Sequence, residues 1–345
     1  MAQTQKKGNN GCLWLIVAGF FTIFAFVFLN QFLGITSTFA LLTALVFSII
    51  VTSKILGVSN KKSIFSTSIV LFLFFFTFKF FIGFIAQLID ADFSEDLTFS
   101  KNEQVKKTTI LEATDSVVVY QSVRQWTDNF GNDYTGDLTI RERDFITLAS
   151  QPLAYRFNSN NNYWGGLYDY LEKRDGPSLD LVMNMFQTIH ESKQLNEMEF
   201  AEMVVTCIQD IPYSFVFSEA CEPAEFYEES IARILRKCPE CCIGNQPYGI
   251  QTPVAFLQNL KGDCDTRTVL IYTILKHFNY DVAILNSDFY LHSILGLNIP
   301  ATGTYKIYNG KKYMLWETTA KYYAAGALPV SFNDVTHWNI VLTSK

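Results

Sequence analysis

The sequence predicts an α+β protein in two parts: an N-terminal three-helix transmembrane anchor, then a domain with helices packed on an antiparallel sheet. Charge and composition predict the division. Of the 345 residues, with a formal net charge of −6, residues 1–89 hold six Lys, no Arg and no acid. Residues 90–345 hold the other 21 basic residues and all 33 acids, a sum of −12. The first part also holds 17 of the 31 Phe. The order of patterns predicts the class, since helical periodicity dominates from 178 to 278 and strand alternation follows from 281.

Three apolar runs, about 13–33, 38–56 and 64–89, each have the ~20 residues that a helical span needs. Lys6 and Lys7 precede the first run, and Lys54, Lys61 and Lys62 lie at or between the ends of the other two. The positive-inside rule then puts the N-terminus in the cytoplasm and Asp90 onward outside it. Lys79, inside the third run, snorkels outward on this reading. The expected location is the inner (cytoplasmic) membrane, multi-pass and in contact with lipid through residues 1–89.

The negative remainder argues against broad nucleic-acid binding, which needs clustered Lys and Arg. Residues 90–175 read as a linker and a β-hairpin extension, and 176–345 as the main domain. Residues 90–115 have no clear period. Val117 to Trp126 and Asp133 to Ile140 flank the turn signal Asn129-Phe130-Gly131-Asn132 and read as a hairpin. The stretch 158–168, rich in Asn and holding two Gly, reads as an irregular loop. Helices are expected over 178–192, 196–210, 224–237 and from Thr252-Pro253 to Gly262. Strands are expected over 282–285, 291–297, 305–308, 311–316 and 337–342, with Asn309-Gly310 as a hairpin turn.

The chemistry centres on Gly262-Asp263-Cys264-Asp265-Thr266-Arg267. Gly262 ends one helix and Asp263 caps the next, so Cys264 sits in the first turn of a helix running to about 278. Unpaired N–H groups at a helix start favour a thiolate and can hold an oxyanion. Asp263 and Asp265 oppose the thiolate, so a His partner is needed. Reach selects His292 among His190, His277, His292 and His337. The helix carries the chain ~21 Å away from the thiol, and the following strand returns it by ~20 Å. His277, at the far end of the helix, cannot reach. A further antiparallel return over 311–317 brings Glu317 level with His292, where a carboxylate can orient the imidazole. Arg267, on the Cys264 face of the helix, is expected to pair with a nearby Asp or Glu.

These residues, with Leu291-His292-Ser293 and Leu315-Trp316-Glu317-Thr318-Thr319, resemble the transglutaminase-like superfamily of papain-like cysteine enzymes. The resemblance covers roughly residues 200–345, with the order Cys, His, acid intact. It implies an α+β fold, a cysteine nucleophile and acyl transfer on amides. Cys264 matches the nucleophile, His292 the base and Glu317 the acid, where Asp is usual in the family. It also implies an upstream aromatic or polar side chain at the oxyanion site, for which Tyr248 and Gln251 are the candidates.

The Cys238-Pro239-Glu240-Cys241-Cys242 cluster lacks a second ligand pair at zinc-finger spacing. A disulfide, with Cys221 or Cys207 as a possible partner, suits an extracytoplasmic setting better. No metal and no cofactor are expected. The expected function is a membrane-anchored cysteine enzyme with a Cys-His-Glu triad. It acts on amide or peptide bonds of proteins or peptides, cell-wall peptides included, as a peptidase, amidase or transamidase. The alternative is a non-catalytic extracytoplasmic binding module that keeps the fold.

Overall fold

The structure is a computed structural model that describes residues 11–31, 37–56, 104–156 and 162–345. The chain forms two compact units, divided after Asp92.

In the first unit, α1 (Gly11–Gln31) and α2 (Ser37–Leu56) pack on each other. Their buried residues are mostly small or hydroxylated: Ala18, Thr22 and Ala25 on α1, and Ala44, Ser48 and Thr52 on α2. Thr22 Oγ1 donates to Ser48 Oγ at 2.7 Å. This corrects the sequence reading of a three-helix transmembrane anchor. Among the described residues no helix is long and apolar enough to cross a membrane. The third expected span, 64–89, lies outside the described residues.

The second unit is α+β. Its first sheet has the order β1-β2-β3, from Lys106–Glu112, Asp115–Thr127 and Asp133–Arg141, all antiparallel. Strand β1 falls where the sequence reads as linker. It is an edge strand, mostly exposed on both faces, so burial imposes no alternation on it. Helix α3 (Glu142–Ser150) buries no residue and gave no signal either. Helix α4 (Tyr163–Asp175) replaces the end of the expected irregular loop. Asn162 caps it by accepting from the Gly165 N–H at 3.1 Å. Gly165 is required there by close packing, because a Cβ would lie 1.9 Å from the Val341 carbonyl oxygen.

Helices α5 (Asp180–Lys193) and α6 (Glu197–Gln209) follow, the latter opened by an Asn196–Glu199 capping box. The first sheet joins this core: Trp126 Nε1 donates to the Met203 carbonyl at 3.0 Å and its ring stacks on Tyr134. The helix expected over 224–237 is interrupted, with a 3-10 turn at Ala224–Phe226 before α7 (Glu229–Lys237). Two short parallel strands, β4 (Phe215–Val216) and β5 (Cys242–Ile243), lie on either side of α7 in sequence. Disulfides join Cys221 to Cys242 and Cys238 to Cys241, leaving Cys207 and Cys264 as free thiols.

Helix α8 (Pro253–Asn259) is capped by Thr252 and ends at Leu260, which takes the left-handed conformation at φ 55°. Helix α9 (Cys264–His277) is buried along most of its length. The second sheet has the order β10-β6-β7-β9-β8, from Asn339–Thr343, Val282–Ser287, His292–Leu297, Lys311–Trp316 and Tyr305–Tyr308. Its pairs are all antiparallel. Val282, Ile284, Leu295, Leu297, Met314 and Trp316 share one core with α9, while Leu285, Ile294, Leu315 and Trp338 form a second core.

One buried acid makes the fold pH-sensitive. Glu202 on α6 is fully buried, accepts from Asn129 Nδ2 at 2.8 Å and leaves Oε1 without a partner. Burial raises its pKa from 4.5 to about 7. An acid raised on folding favours the folded state while protonated, so stability declines as pH rises from about 4.5 to about 7. Glu202→Gln should remove that decline. Urea unfolding should show the variant more stable than the parent by roughly 2 kcal/mol at pH 8, and similar to it at pH 4.5. A parent whose stability is flat over that range would contradict this.

Candidate active site

Three short-range constraints build the start of α9. Leu260 turns the chain out of α8, and its N–H donates back to Phe256 O at 2.6 Å. Gly262 then passes so close to α8 that a Cβ would meet the Phe256 ring at 2.8 Å and Thr266 Cγ2 at 3.0 Å. Asp263 caps the helix, its Oδ1 accepting from the Thr266 N–H at 3.1 Å. Cys264 is therefore the first helical residue, where backbone N–H groups have no intrahelical acceptor.

Arg267 holds this start in place. Its side chain is fully buried and donates only to backbone oxygens: Nε to Gly262 at 3.0 Å, Nη1 to Ile208 at 3.1 Å, and Nη2 to Ile211 and Pro212 at 2.7 Å each. Burial lowers its pKa to about 10. The expected carboxylate partner is replaced by carbonyls, because the end of α6 and the loop beyond it turn C=O groups to this point. Below Cys264 on the helix, Thr268 shares a hydroxyl hydrogen bond of 2.9 Å with Thr318, tying α9 to the end of β9.

The structure brings Cys264, His292 and Glu317 together. His292 opens β7, and Glu317 directly follows β9. His292 Nε2 and Glu317 Oε2 are 2.9 Å apart. The imidazole and the Cys264 thiol are close enough to shift each other's titration, and with Nε2 turned to Glu317 the nitrogen left for sulfur is Nδ1. The Phe332 ring stacks on His292 at 4.9 Å and Trp338 meets it edge-on at 6.0 Å. Glu317 is 1% exposed. Its Oε1 accepts from the Thr318 N–H at 2.9 Å, the Thr319 N–H at 2.7 Å and Thr319 Oγ1 at 2.6 Å. Three donors on one oxygen leave the other to face the ring, so the longer Glu chain is fixed rather than loose.

Electrostatics follow from these contacts. Burial opposes charge on Glu317, yet the imidazole and the Thr319 donors hold its pKa below the ordinary carboxylate value. Burial also works against an imidazolium at His292, but the Cys264 sulfur and the Glu317 carboxylate outweigh it and raise its pKa well above 6.5. The Cys264 thiol is raised above 9.0, by burial first and by Asp265 second, with His292 pulling the other way. Asp263, buried and beside Asp265, is raised to about 7. Without the imidazole, then, the site disfavours a thiolate. His292 pulls against burial and Asp265 and favours the thiolate.

The polar ends of the two oxyanion candidates are engaged by other groups. Tyr248 donates its hydroxyl to the Leu153 and Tyr155 carbonyls at 3.2 and 3.1 Å. The Gln251 side chain is locked to Asn259, whose Nδ2 donates to Gln251 Oε1 at 2.9 Å, and it also donates to the Lys261 carbonyl. Tyr213 is a tyrosine close enough to the sulfur to feel its charge. Burial raises its pKa well above 10, and next in weight is negative charge on Cys264 and then on Asp263. The Arg267 guanidinium stands over its ring at 5.5 Å. Tyr213 follows Pro212 in the loop beyond α6, 51 residues before Cys264, and carries no local motif. The carbonyl grip of Arg267 and the Ser214 N–H donated to the Gly262 carbonyl hold that loop to the turn before the thiol.

Among the described residues no cluster of three or more His, Cys, Asp or Glu could hold a metal ion. Two measurements check the geometry. Arg267→Met leaves four carbonyls short of a donor and should cost about 3 kcal/mol or more in urea unfolding; wild-type stability would contradict the anchoring role. Glu317→Gln removes the charge facing the ring, so the His292 pKa read by NMR should fall toward 6.5; an unchanged value would show that Glu317 does not set it. No family model, curated protein or solved structure matches this chain.

Proposed function

We propose that residues 104–345 form a transglutaminase-like cysteine enzyme acting on amide or peptide bonds. The observation that carries this reading is the buried chain Cys264–His292–Glu317, with the thiol at a helix start and the carboxylate held by three donors. The residue motifs around the same three positions supply the family reading.

The chemistry runs as follows. His292 takes the Cys264 proton as sulfur adds to the substrate carbonyl and the C–S bond forms. The backbone N–H at the start of α9 and the Tyr213 hydroxyl stabilise the oxyanion. His292 then gives its proton to the leaving nitrogen, the C–N bond breaks, and a thioester remains. Water or an amine, deprotonated by His292, attacks the thioester and releases the thiol. Glu317 orients the ring and stabilises its charged form throughout. Water makes the enzyme a peptidase or amidase, and an amine makes it a transamidase. The two disulfides fit an oxidising compartment, so we place this domain outside the cytoplasm.

A second reading, a binding module without turnover, is favoured by one observation: the thiol is 8% exposed and its pKa is raised, not lowered. The full chain, incubated with a peptide mixture and a labelled primary amine, separates the two. The enzyme reading expects cleavage or amine incorporation by mass spectrometry, lost in Cys264→Ala. It also expects Tyr213→Phe to lower kcat by about 10-fold or more with little change in KM. Turnover that survives Cys264→Ala, or no turnover of any peptide, would contradict it.

A further inference from the structure

Beside the thiol lies a second set of polar groups that the proposed chemistry leaves unused. Asp265 directly follows the nucleophile and is half-buried, whereas Gly262, Asp263, Cys264 and Thr266 around it are buried. Tyr168 of α4, fully buried, donates its hydroxyl to Asp265 Oδ1 at 2.7 Å. Asn286 of β6 donates Nδ2 to the same hydroxyl at 2.7 Å. The other atom of that amide, Asn286 Oδ1, is buried and has no hydrogen-bond partner. Ser293 Oγ, on the strand position directly across from Asn286, is fully buried and also without one. Trp164, half-buried, stacks on Tyr168 with centroids 5.7 Å apart.

This arrangement is one-sided. Among the described residues no Lys or Arg forms an ion pair with Asp265, although its charge raises both Asp263 and Cys264. A carboxylate that opposes the thiolate is a cost to a nucleophile unless it serves another group. The unfilled positions can accept: Asn286 Oδ1 and Ser293 Oγ, a hydroxyl that can also donate, beside the Asp265 carboxylate. Aromatic faces adjoin them. A carboxylate, a spare amide oxygen and an indole are the groups that recognise an alkylammonium ion.

We propose that Asp265, with Asn286 and Trp164, is a specificity subsite for a protonated amine on the substrate, close to the carbonyl that Cys264 attacks. The proposal rests on the reading of Cys264 as the nucleophile. It assigns the substrate class as a peptide bearing an α-ammonium or lysine ammonium next to the scissile amide.

Thiol-specific reagents that share one reactive group and carry three charges test this without knowledge of the substrate. The full chain is treated with 2-aminoethyl, methyl and 2-sulfonatoethyl methanethiosulfonate, and the rate at Cys264 is followed by mass spectrometry. Each rate is divided by the rate at a free cysteine amide. The cationic reagent should lead the neutral one by about 10-fold, and the anionic one should trail both. In Asp265→Asn, the cation-to-neutral ratio should fall to within about 2-fold of the free thiol. The ratio cancels any change in the thiol's own ionisation. Asn286→Leu, which leaves Asp265 in place, should lower the ratio in part. Equal rates for all three reagents, or a cation preference unchanged in Asp265→Asn, would overturn the subsite while leaving the nucleophile intact. A Cys264 inert to all three would overturn the nucleophile reading itself, and the subsite with it.

Discussion

The site depends on one buried cation. Arg267 cannot shed its charge cheaply and finds no carboxylate in reach, so backbone carbonyls must come to it. The four that do are Gly262, Ile208, Ile211 and Pro212. Gly262 belongs to the turn before the nucleophile, and the other three belong to the end of α6 and the loop beyond it. One guanidinium therefore sets the distance between the helix start that carries Cys264 and the loop that carries Tyr213. The neighbouring backbone follows the same geometry, since Ser214 N donates to Gly262 O at 3.3 Å and Phe215 N to Cys241 O at 2.9 Å. The disulfide pair Cys238–Cys241 is thus tied through one strand to the same anchor.

Glu317 illustrates how a flexible acid is held in place. An acid one methylene longer than Asp has an extra rotatable bond, and loses the advantage of a fixed carboxylate unless its other oxygen is held. The Thr318-Thr319 turn supplies two N–H groups and a hydroxyl to that oxygen. The 2.9 Å hydroxyl contact between Thr268 and Thr318 then links this turn to α9. The acid, the base and the nucleophile are therefore connected through threonines as well as through their own hydrogen bonds.

What could be read from the sequence follows the range of the interactions. Cys264, His292 and Glu317 lie on one continuous helix, strand and return, where residue rise fixes reach, and their approach was legible from chain lengths alone. Tyr213 and Tyr168 come from separate elements placed by packing, and nothing local marks them. Tyr248 and Gln251 are near Cys264 in sequence, but their polar ends are spent on backbone carbonyls and Asn259. Arg267 looked like half of an ion pair because its carbonyl partners are invisible as side chains. Strand β1 and helix α3 were missed because neither buries a face. The first two apolar runs form two helices, and among the described residues no helix is long and apolar enough to cross a membrane.

The central claim is that His292 makes the buried, acid-flanked thiol of Cys264 usable. The most direct test is the iodoacetamide alkylation rate of Cys264 in the full chain at pH 7, resolved from Cys207 by mass spectrometry, with and without His292→Ala. Burial and Asp265 both oppose the thiolate, so loss of the imidazole should slow the reaction by about 10-fold or more. A rate unchanged by His292→Ala would mean that the contact between the two side chains carries no proton, and the account of the site would fail.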